Sequence, residues 1–277
     1  MSAKDNANHF VLAQTIDVDF LASYEYQVFQ LALDKTKQKY GDYTLSISKN
    51  ILSEKRAEIM ALSEDRINIY FIDSASIERS DSLAYARFPV MLGIVGYRVN
   101  LMGAKLQSKG YAFSSVEDLK PYTFIQGAHW LDSTVLKDNG FNVLEGASIE
   151  GLFNMLSYER ADFFPVAANQ VKDIVNENIE LEGVSVEENF MFYYPLPRFI
   201  YTHKRNRAGV ERLHEGLIQA FDDGSLIELW YKHNKTSLDF VGFDKRLVFK
   251  LKNIHLGALS DGLDKYIYPF QSPDKTE

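Results

Sequence analysis

The chain has 277 residues, 46% of them hydrophobic, which is enough to bury a core in one large or two medium domains. Its 38 acidic residues outnumber its 30 basic residues and give a net charge of −8, which argues against a nucleic-acid-binding protein. The sequence contains no cysteine, which excludes disulfide bonds, thiolate nucleophiles and cysteine-ligated metal sites.

The first part of the chain alternates short strand-like and longer helix-like segments. Ser23 is a plausible helix N-cap, and apolar residues then recur at helical spacing until Gly41 ends the pattern. The predicted elements are a strand over 9–13, a helix over 24–39, a strand over 43–48, a helix over 53–62 and a buried strand over 67–72. This βαβαβ order favours a layered α/β fold.

A second series of strands and helices follows. The apolar segment 90–101 is rich in β-formers, and an exposed Gly/Ser/Lys loop leads from it to a capping-box pattern at Ser115. The predicted elements are then a strand over 122–126, a helix from 131, a helix over 149–156 capped by Ser148, a strand over 161–166, an extended segment over 193–201, and helices over 210–221 and 226–232. The tail from 245 alternates weakly.

The order of these motifs resembles type II periplasmic solute-binding proteins of family 3, the amino-acid-binding proteins of ABC transporters. The residues that carry the resemblance to the second lobe are Val116-Glu-Asp-Leu-Lys, the strand ending at Gly127, and Ser148-Ile-Glu-Gly-Leu-Phe-Asn-Met-Leu-Ser-Tyr-Glu-Arg-Ala-Asp162. Ser76-Ile-Glu-Arg79 stands where the family has Thr-x-x-Arg, and 210–232 where it has a helix, Asp-Gly and a short helix. A narrower resemblance is to a subgroup with Leu-Gly-x-x-Gly-Tyr-Arg, Gly-x-x-Trp-x-Asp-Ser/Thr and Gly-Leu-Phe-x-Met-Leu.

The resemblance implies two α/β lobes, each a mixed sheet flanked by helices, joined by a two-strand hinge. The first lobe would combine residues 1–96 with 199–277, the second would be 97–198, and the crossings would lie near 95–99 and 194–199. Such proteins close on a ligand by hinge motion. The implied function is the periplasmic substrate-binding component of an ABC-type uptake system. It would capture a small carboxylate-bearing solute in the interlobe cleft and deliver it to a membrane permease.

The resemblance also implies ligand-binding residues in the first lobe. Arg79 would bind the ligand's α-carboxylate, because a guanidinium matches a carboxylate bidentately; an ordinary surface arginine is the alternative. Ser74 and Ser76 would hydrogen-bond beside it, or would only cap the turn. Tyr24 and Tyr26 follow the first strand, where the family stacks an aromatic ring on the ligand, although Tyr24 also suits core packing.

In the second lobe, Gly127, Ala128 and His129 form a strand-to-helix turn whose backbone N–H groups could bind an anion. Any such junction can use a glycine without binding a ligand, and His129 also suits the rim of a site. Trp130 and Asp132 belong to the subgroup motif. Asp132 equally suits a first-turn position that interacts with the helix dipole.

One departure from the family concerns the carboxylate that usually pairs with the ligand's α-ammonium. The corresponding stretch reads Phe164-Pro-Val-Ala-Ala-Asn169, and its nearest polar residue, Asn169, is neutral. A buried ammonium without a carboxylate is costly, so an α-amino acid ligand is in doubt. An organic acid, a small peptide-like compound, or a carboxylate from Asp73, Asp132 or Glu150 remains open.

Two other functions fit the same fold. One is a sensory solute-binding domain that signals to a membrane receptor, and the other is a dehydratase-like enzyme that would use His129, Asp132 or Glu150 as acid or base. No His-x-x-x-His pair, phosphate-binding loop or nucleophile elbow occurs, so we expect a non-enzyme without metal or cofactor. No apolar run approaches the roughly 20 residues of a membrane span. We expect a monomer in the periplasm whose signal peptide has been removed.

Overall fold

The computed structural model describes residues 8–15, 19–109, 111–178 and 183–270, which form two compact units. The first unit takes its residues from Met1–Leu92, Pro197–His233 and Leu256–Ile267, and the second from Gly93–Leu196, Asn234–His255 and Tyr268–Glu277.

The described residues contain the following strands and helices. The strands are β1 His9–Leu12, β2 Thr44–Ile47, β3 Ile69–Ser74, β4 Ala84–Ala86, β5 Tyr97–Gly103, β6 Thr123–Gly127, β7 Asn142–Gly146, β8 Phe163–Ala167, β9 Val184–Tyr193, β10 Arg198–Thr202 and β11 Leu247–Lys250. The helices are α1 Tyr24–Lys35, α2 Lys37–Tyr40, α3 Glu54–Ala61, α4 Ile77–Ser82, α5 Ala104–Lys109, α6 Leu131–Asp138, α7 Ile149–Ser157, α8 Val171–Glu177, α9 Arg207–Asp222 and α10 Ser225–Val241.

The sheet of the first unit has the strand order β2-β1-β3-β10-β4. Strand β1 runs parallel to β2 and β3, whereas β10 runs antiparallel to β3 and β4. Arg198 therefore lies opposite Ser74, and Thr202 lies opposite Ala84 at the other end of β10. Helices α1 and α9 pack closely, since a Cβ atom on Gly216 would lie 1.9 Å from the carbonyl oxygen of Ala32.

The sheet of the second unit has the order β11-β9-β5-β8-β6-β7. Strand β5 is antiparallel to both neighbours, and β6 is parallel to β7 and β8. Rings on three of these strands pack together, with Phe124 stacked on Phe163 at 5.2 Å and Phe190 packed edge-on against Phe192 at 5.7 Å. Ring pairs of this kind stabilise a core beyond the area that they bury. Both units are mixed sheets flanked by helices, as the sequence predicts.

Three local predictions are wrong in detail. The first helix ends at Lys35, where the Thr36 hydroxyl donates to the carbonyl oxygens of Ala32 and Leu33, and α2 follows it. Strand β5 begins only at Tyr97, because Gly93 adopts a left-handed φ of 87° and a 3₁₀ turn follows. The short helix predicted over 226–232 extends to Val241.

The predicted lobe boundaries also differ from the division into units. The sequence assigns all of 199–277 to the first lobe, whereas residues 234–255 lie in the second unit. The reason is that β11 pairs in parallel with β9, with Leu247 opposite Phe190. Local sequence patterns do not reveal a pairing between strands so far apart in the chain.

Candidate functional site

The first unit gathers charged side chains where β3 ends. Asp73 and Ser74 complete the strand, and Ser76 caps α4 by accepting a hydrogen bond from the backbone N–H of Arg79 at 3.3 Å. The carboxyl ends of strands are preferred ligand positions in α/β sheets. The predicted Ser-x-x-Arg motif therefore lies at a suitable edge, and its local geometry follows from the serine cap.

Arg79 is already paired within this edge. Its Nη2 lies 2.8 Å from a carboxylate oxygen of Asp73 and 3.3 Å from one of Glu58, and its Nη1 donates to the carbonyl oxygen of Ser74. The side chain is 18% exposed, and its Nε is buried without a partner. A ligand carboxylate would have to displace Asp73 or Glu58 to form the predicted bidentate contact.

A second guanidinium lies across the sheet from Ser74. Arg198 Nη1 is 3.1 Å from a carboxylate oxygen of Glu25, and its Nη2 is 2.8 Å from one of Glu54 and donates to the carbonyl oxygen of Ile72 at 2.6 Å. Arg198, Glu25, Glu54 and Glu58 are absent from the sequence-based prediction. The available signal was that Glu25 and Glu54 each lie in the first helical turn after a serine cap.

We call Glu25, Glu54, Glu58, Asp73, Arg79 and Arg198 the edge cluster. It places four carboxylates around two guanidiniums, and the exposed ammonium of Lys55 lies 3.4 Å from Glu58, so one negative charge remains in excess when every group is ionised. The Glu54 side chain is 43% exposed and is the most accessible of the six. The protein atoms packed around Glu54 and the negative charge of Asp73 raise its pKa to about 7. The edge cluster therefore has unbalanced negative charge, and its most accessible carboxylate is that of Glu54.

The two predicted tyrosines of the first unit lie in different surroundings. Tyr24 is buried, and its hydroxyl donates to the carbonyl oxygen of Val90 at 2.5 Å, which places it in the core. Tyr26 is partly exposed and packs edge-on against Phe20 at 6.4 Å. Thr15 lies near the cluster, since its hydroxyl donates to Glu25 at 3.4 Å.

In the second unit, the predicted turn after β6 is shaped by a tryptophan. The Trp130 ring covers Gly127 so closely that a Cβ there would lie 2.4 Å from ring atoms, and this explains the glycine. The N–H of Ala128 donates to Gly146 and that of Trp130 to Gly127, so the fold itself uses two of the turn's N–H groups. His129 is exposed with a left-handed φ of 68°, and Trp130 is 38% exposed. Both side chains are open to solvent at this end of the sheet.

Asp132 forms a buried ion pair that the sequence analysis did not foresee. One of its carboxylate oxygens lies 2.5 Å from Arg98 Nη2 and accepts a hydrogen bond from the Tyr194 hydroxyl. Burial and the neighbouring Asp132 charge raise the pKa of Tyr194 well above its ordinary value, so it stays a donor. Because Asp132 is neutralised and buried, it is poorly placed as the free acid or base of a dehydratase.

Asn169 follows β8, in the stretch that lacks the carboxylate expected from the family resemblance. It is half-buried, its side-chain oxygen is buried without a partner, and its backbone carbonyl accepts a hydrogen bond from Ser237 at 3.1 Å. A neutral amide oxygen at this position can accept one hydrogen bond from an N–H donor. Glu150, the other open candidate of this unit, is exposed in the first turn of α7.

Solved structures with the same architecture come from solute-binding proteins. A probable amino-acid ABC transporter extracellular-binding protein, YtmK of Bacillus subtilis, matches with a TM-score of 0.61 and 14% identity over 81% of this chain and 96% of its own. The chain has the type II periplasmic-binding-protein fold. An ancestral arginine-binding protein bound to arginine matches with a TM-score of 0.59 and 14% identity, over 81% of this chain and 97% of that one.

A third solved structure is a periplasmic binding protein of Salmonella typhimurium with high arginine specificity. It has a TM-score of 0.58 and 12% identity, over 81% of this chain and 98% of its own. No family model matches the sequence, and no curated protein matches it.

Within the described ranges, no helix has the length and apolar character of a membrane span, and no set of three His, Asp or Glu side chains is placed to bind a metal.

Proposed function

We propose that this protein is the solute-binding component of an uptake system and that it captures a basic amino acid. The cation of the solute's side chain binds the edge cluster beside Glu54. The observation that carries the proposal is the negative charge that remains in excess in that cluster once Lys55 is counted with the two arginines, at the carboxyl edge of β3. The fold shared with binding proteins supports the solute-binding role, and the arginine bound by one of them and preferred by another agrees with the charge argument.

The electrostatic reasoning starts from the two arginines. Each guanidinium already contacts two carboxylates, so neither has charge left for an anionic ligand. Like charges this close repel one another, and an opposite charge within about 4–6 Å relieves that repulsion. An incoming ammonium or guanidinium does so directly, and it restores Glu54 to its ionised form.

This proposal changes the role expected for Arg79. Instead of receiving the ligand's carboxylate, Arg79 positions Asp73 and Glu58 and sets the charge of the cluster. The acidic groups of the first unit supply the negative charge for the solute's side-chain cation, whereas the neutral Asn169 stands where the family has the carboxylate that pairs with the α-ammonium. His129 and Trp130 remain the proposed contacts of the second unit, and closure of two lobes on the solute remains a prediction.

A thermal-shift screen tests the proposal. L-arginine, L-lysine, L-glutamine, L-glutamate and succinate are each added to the purified protein, and a ligand at 100 times its Kd adds about 2.7 kcal/mol of stability. We expect a shift with arginine or lysine, reduced in Glu54→Gln and retained in the control Glu78→Gln, whose exposed side chain lies outside the cluster. A shift with succinate alone would contradict the proposal.

A further inference from the structure

A second charged site lies in the first unit, at the opposite end of β10 from the edge cluster. A cavity of about 450 Å³ opens beside the edge strand β4 and the first turns of α9. Ala84 of this cavity is paired with Thr202, whereas Arg198 of the edge cluster is paired with Ser74. The cavity therefore has no residue in common with the proposed solute site.

The walls of this cavity carry more positive than negative charge. Arg87, Lys204 and Arg207 line it together with one carboxylate, that of Glu211. Arg87 donates to the backbone carbonyls of Ala258, Leu259 and Asp261 at 2.7 to 3.3 Å, and Lys204 donates to that of Asp81 at 3.0 Å. In the described part of the chain, none of these three cations has a carboxylate within ion-pair distance. The cavity lining thus has the opposite sign to the net charge of −8 of the whole protein.

One uncharged polar atom and an apolar wall complete the cavity. The Nδ1 atom of His214 is buried without a hydrogen-bond partner. Burial and the nearby positive charges of Arg87 and Lys265 lower the pKa of His214, so its ring stays neutral. Leu83 and Val210 line the same cavity and are 3% and 7% exposed. Cationic, hydrogen-bonding and apolar groups thus converge on one space.

We propose that this cavity binds a small phosphate monoester. The dianionic phosphate lies among Arg87, Lys204 and Arg207, and the organic group lies against Leu83 and Val210. A dianion offsets the local positive charge more completely than a single carboxylate would, and Arg pairs favourably with phosphate oxygens. The volume lies within the usual range of small-molecule pockets, about 300–1,000 Å³.

The test uses phenyl phosphate and orthophosphate, titrated calorimetrically into the full chain at about 0.1 M salt, where the Debye length is about 10 Å. The informative variant is Arg207→Ala, because Arg207 is exposed and its removal leaves the core intact. The matched control is Arg205→Ala, which removes the same charge two residues away. Arg205 is 63% exposed, pairs with Glu64 and does not line the cavity.

We expect phenyl phosphate to bind more tightly than orthophosphate, and Arg207→Ala to weaken its binding by about tenfold, as the loss of a charge-assisted bond does. Arg205→Ala should change the affinity by less than about twofold, as expected of a charge screened by solvent. Equal losses in the two variants would overturn the proposal, because they would indicate general attraction to a basic surface. Absence of phenyl phosphate binding, or equal affinity for both probes, would also overturn it.

Discussion

Arg98 and Asp132 form a buried ion pair, 2.5 Å from nitrogen to oxygen, that fastens strand β5 to the first turn of helix α6. The two residues come from separate sequence motifs, Leu92-Gly-Ile-Val-Gly-Tyr-Arg98 and Gly127-Ala-His-Trp-Leu-Asp132. Their contact joins the two motifs within the second unit. It fixes the helix behind the turn that carries His129 and Trp130.

Asp132→Asn should destabilise the protein strongly. The substitution leaves the Arg98 guanidinium buried without a counter-charge, and removing one partner of a buried pair costs about 3–5 kcal/mol. Urea unfolding measures the loss. The control is Asp138→Asn on the same helix, whose partly exposed carboxylate pairs with His255 and should contribute less than about 1 kcal/mol. Similar losses of unfolding free energy in both variants would show that the Arg98–Asp132 pair stabilises the protein no more than the exposed pair does.

Binding of L-arginine should strengthen as the pH rises from 6 to 8. The pKa of Glu54 is about 7 without ligand, so the carboxyl is largely neutral at pH 6 and gains its charge by pH 8. The cation of the solute interacts only with the charged form. Calorimetric titrations at the two pH values measure the change, and Glu54→Gln should remove most of it. An equally steep profile in Glu54→Gln would assign the pH dependence to another group.

The same raised pKa predicts how stability without ligand depends on pH. Because the folded protein holds the Glu54 proton more tightly than the unfolded chain, ionisation of Glu54 destabilises the fold as pH rises above the unfolded pKa of 4.5. Glu54→Gln should therefore be more stable than the wild type at pH 8, with little difference at pH 4. Melting temperatures at both pH values test this. A variant that is less stable than the wild type at pH 8 would contradict the assigned environment.

Arg79→Gln separates the two roles considered for this arginine. In our account, the substitution leaves Asp73 and Glu58 without their cation, so it lowers stability but keeps or strengthens the attraction for a cationic solute. We expect the Kd for L-arginine to rise by no more than about threefold, less than the 1.4 kcal/mol of a tenfold change. Circular dichroism at the titration temperature checks that the variant is folded. Complete loss of binding by a folded variant would restore Arg79 as a carboxylate receptor.

Gly216→Ala should disrupt the packing of α1 against α9. Its Cβ would lie 1.9 Å from the backbone carbonyl oxygen of Ala32, which cannot move without shifting its helix. Overpacking of this kind typically costs about 1–3 kcal/mol, and denaturant unfolding measures it. Gly151→Ala is the comparison, since its Cβ would meet only the Ser148 hydroxyl oxygen, at 3.1 Å. An unchanged free energy of unfolding in Gly216→Ala would mean that α1 and α9 can move apart at little cost.

Local structure was largely predictable from the sequence. Serine caps at Ser23 and Ser148 are confirmed, because each side chain accepts a hydrogen bond from a backbone N–H three residues later. Gly41 follows α2 with a positive φ of 82° and ends the helical pattern where the sequence predicts, although the pattern is divided between α1 and α2. These features depend on residues that are neighbours in the chain, so a short window of sequence contains the information that determines them.

The charged sites were not predictable in the same way. Arg198 and Glu25 are 173 residues apart, and their pairing depends on β10 lying antiparallel beside β3. The sequence identified Arg79 as a site residue but could not show that Asp73 and Glu58 neutralise it, since that requires the positions of two other elements. The sign of the charge at the edge therefore emerges only from the fold.

The central claim is that the edge cluster binds the cation of a basic amino acid. Calorimetric titration of the wild-type protein at pH 8 with L-arginine and L-citrulline tests it most directly, because the two solutes have nearly the same shape and differ in side-chain charge. The account predicts that arginine binds at least about tenfold more tightly, a difference of 1.4 kcal/mol or more. Equal affinities, or tighter binding of citrulline, would contradict it.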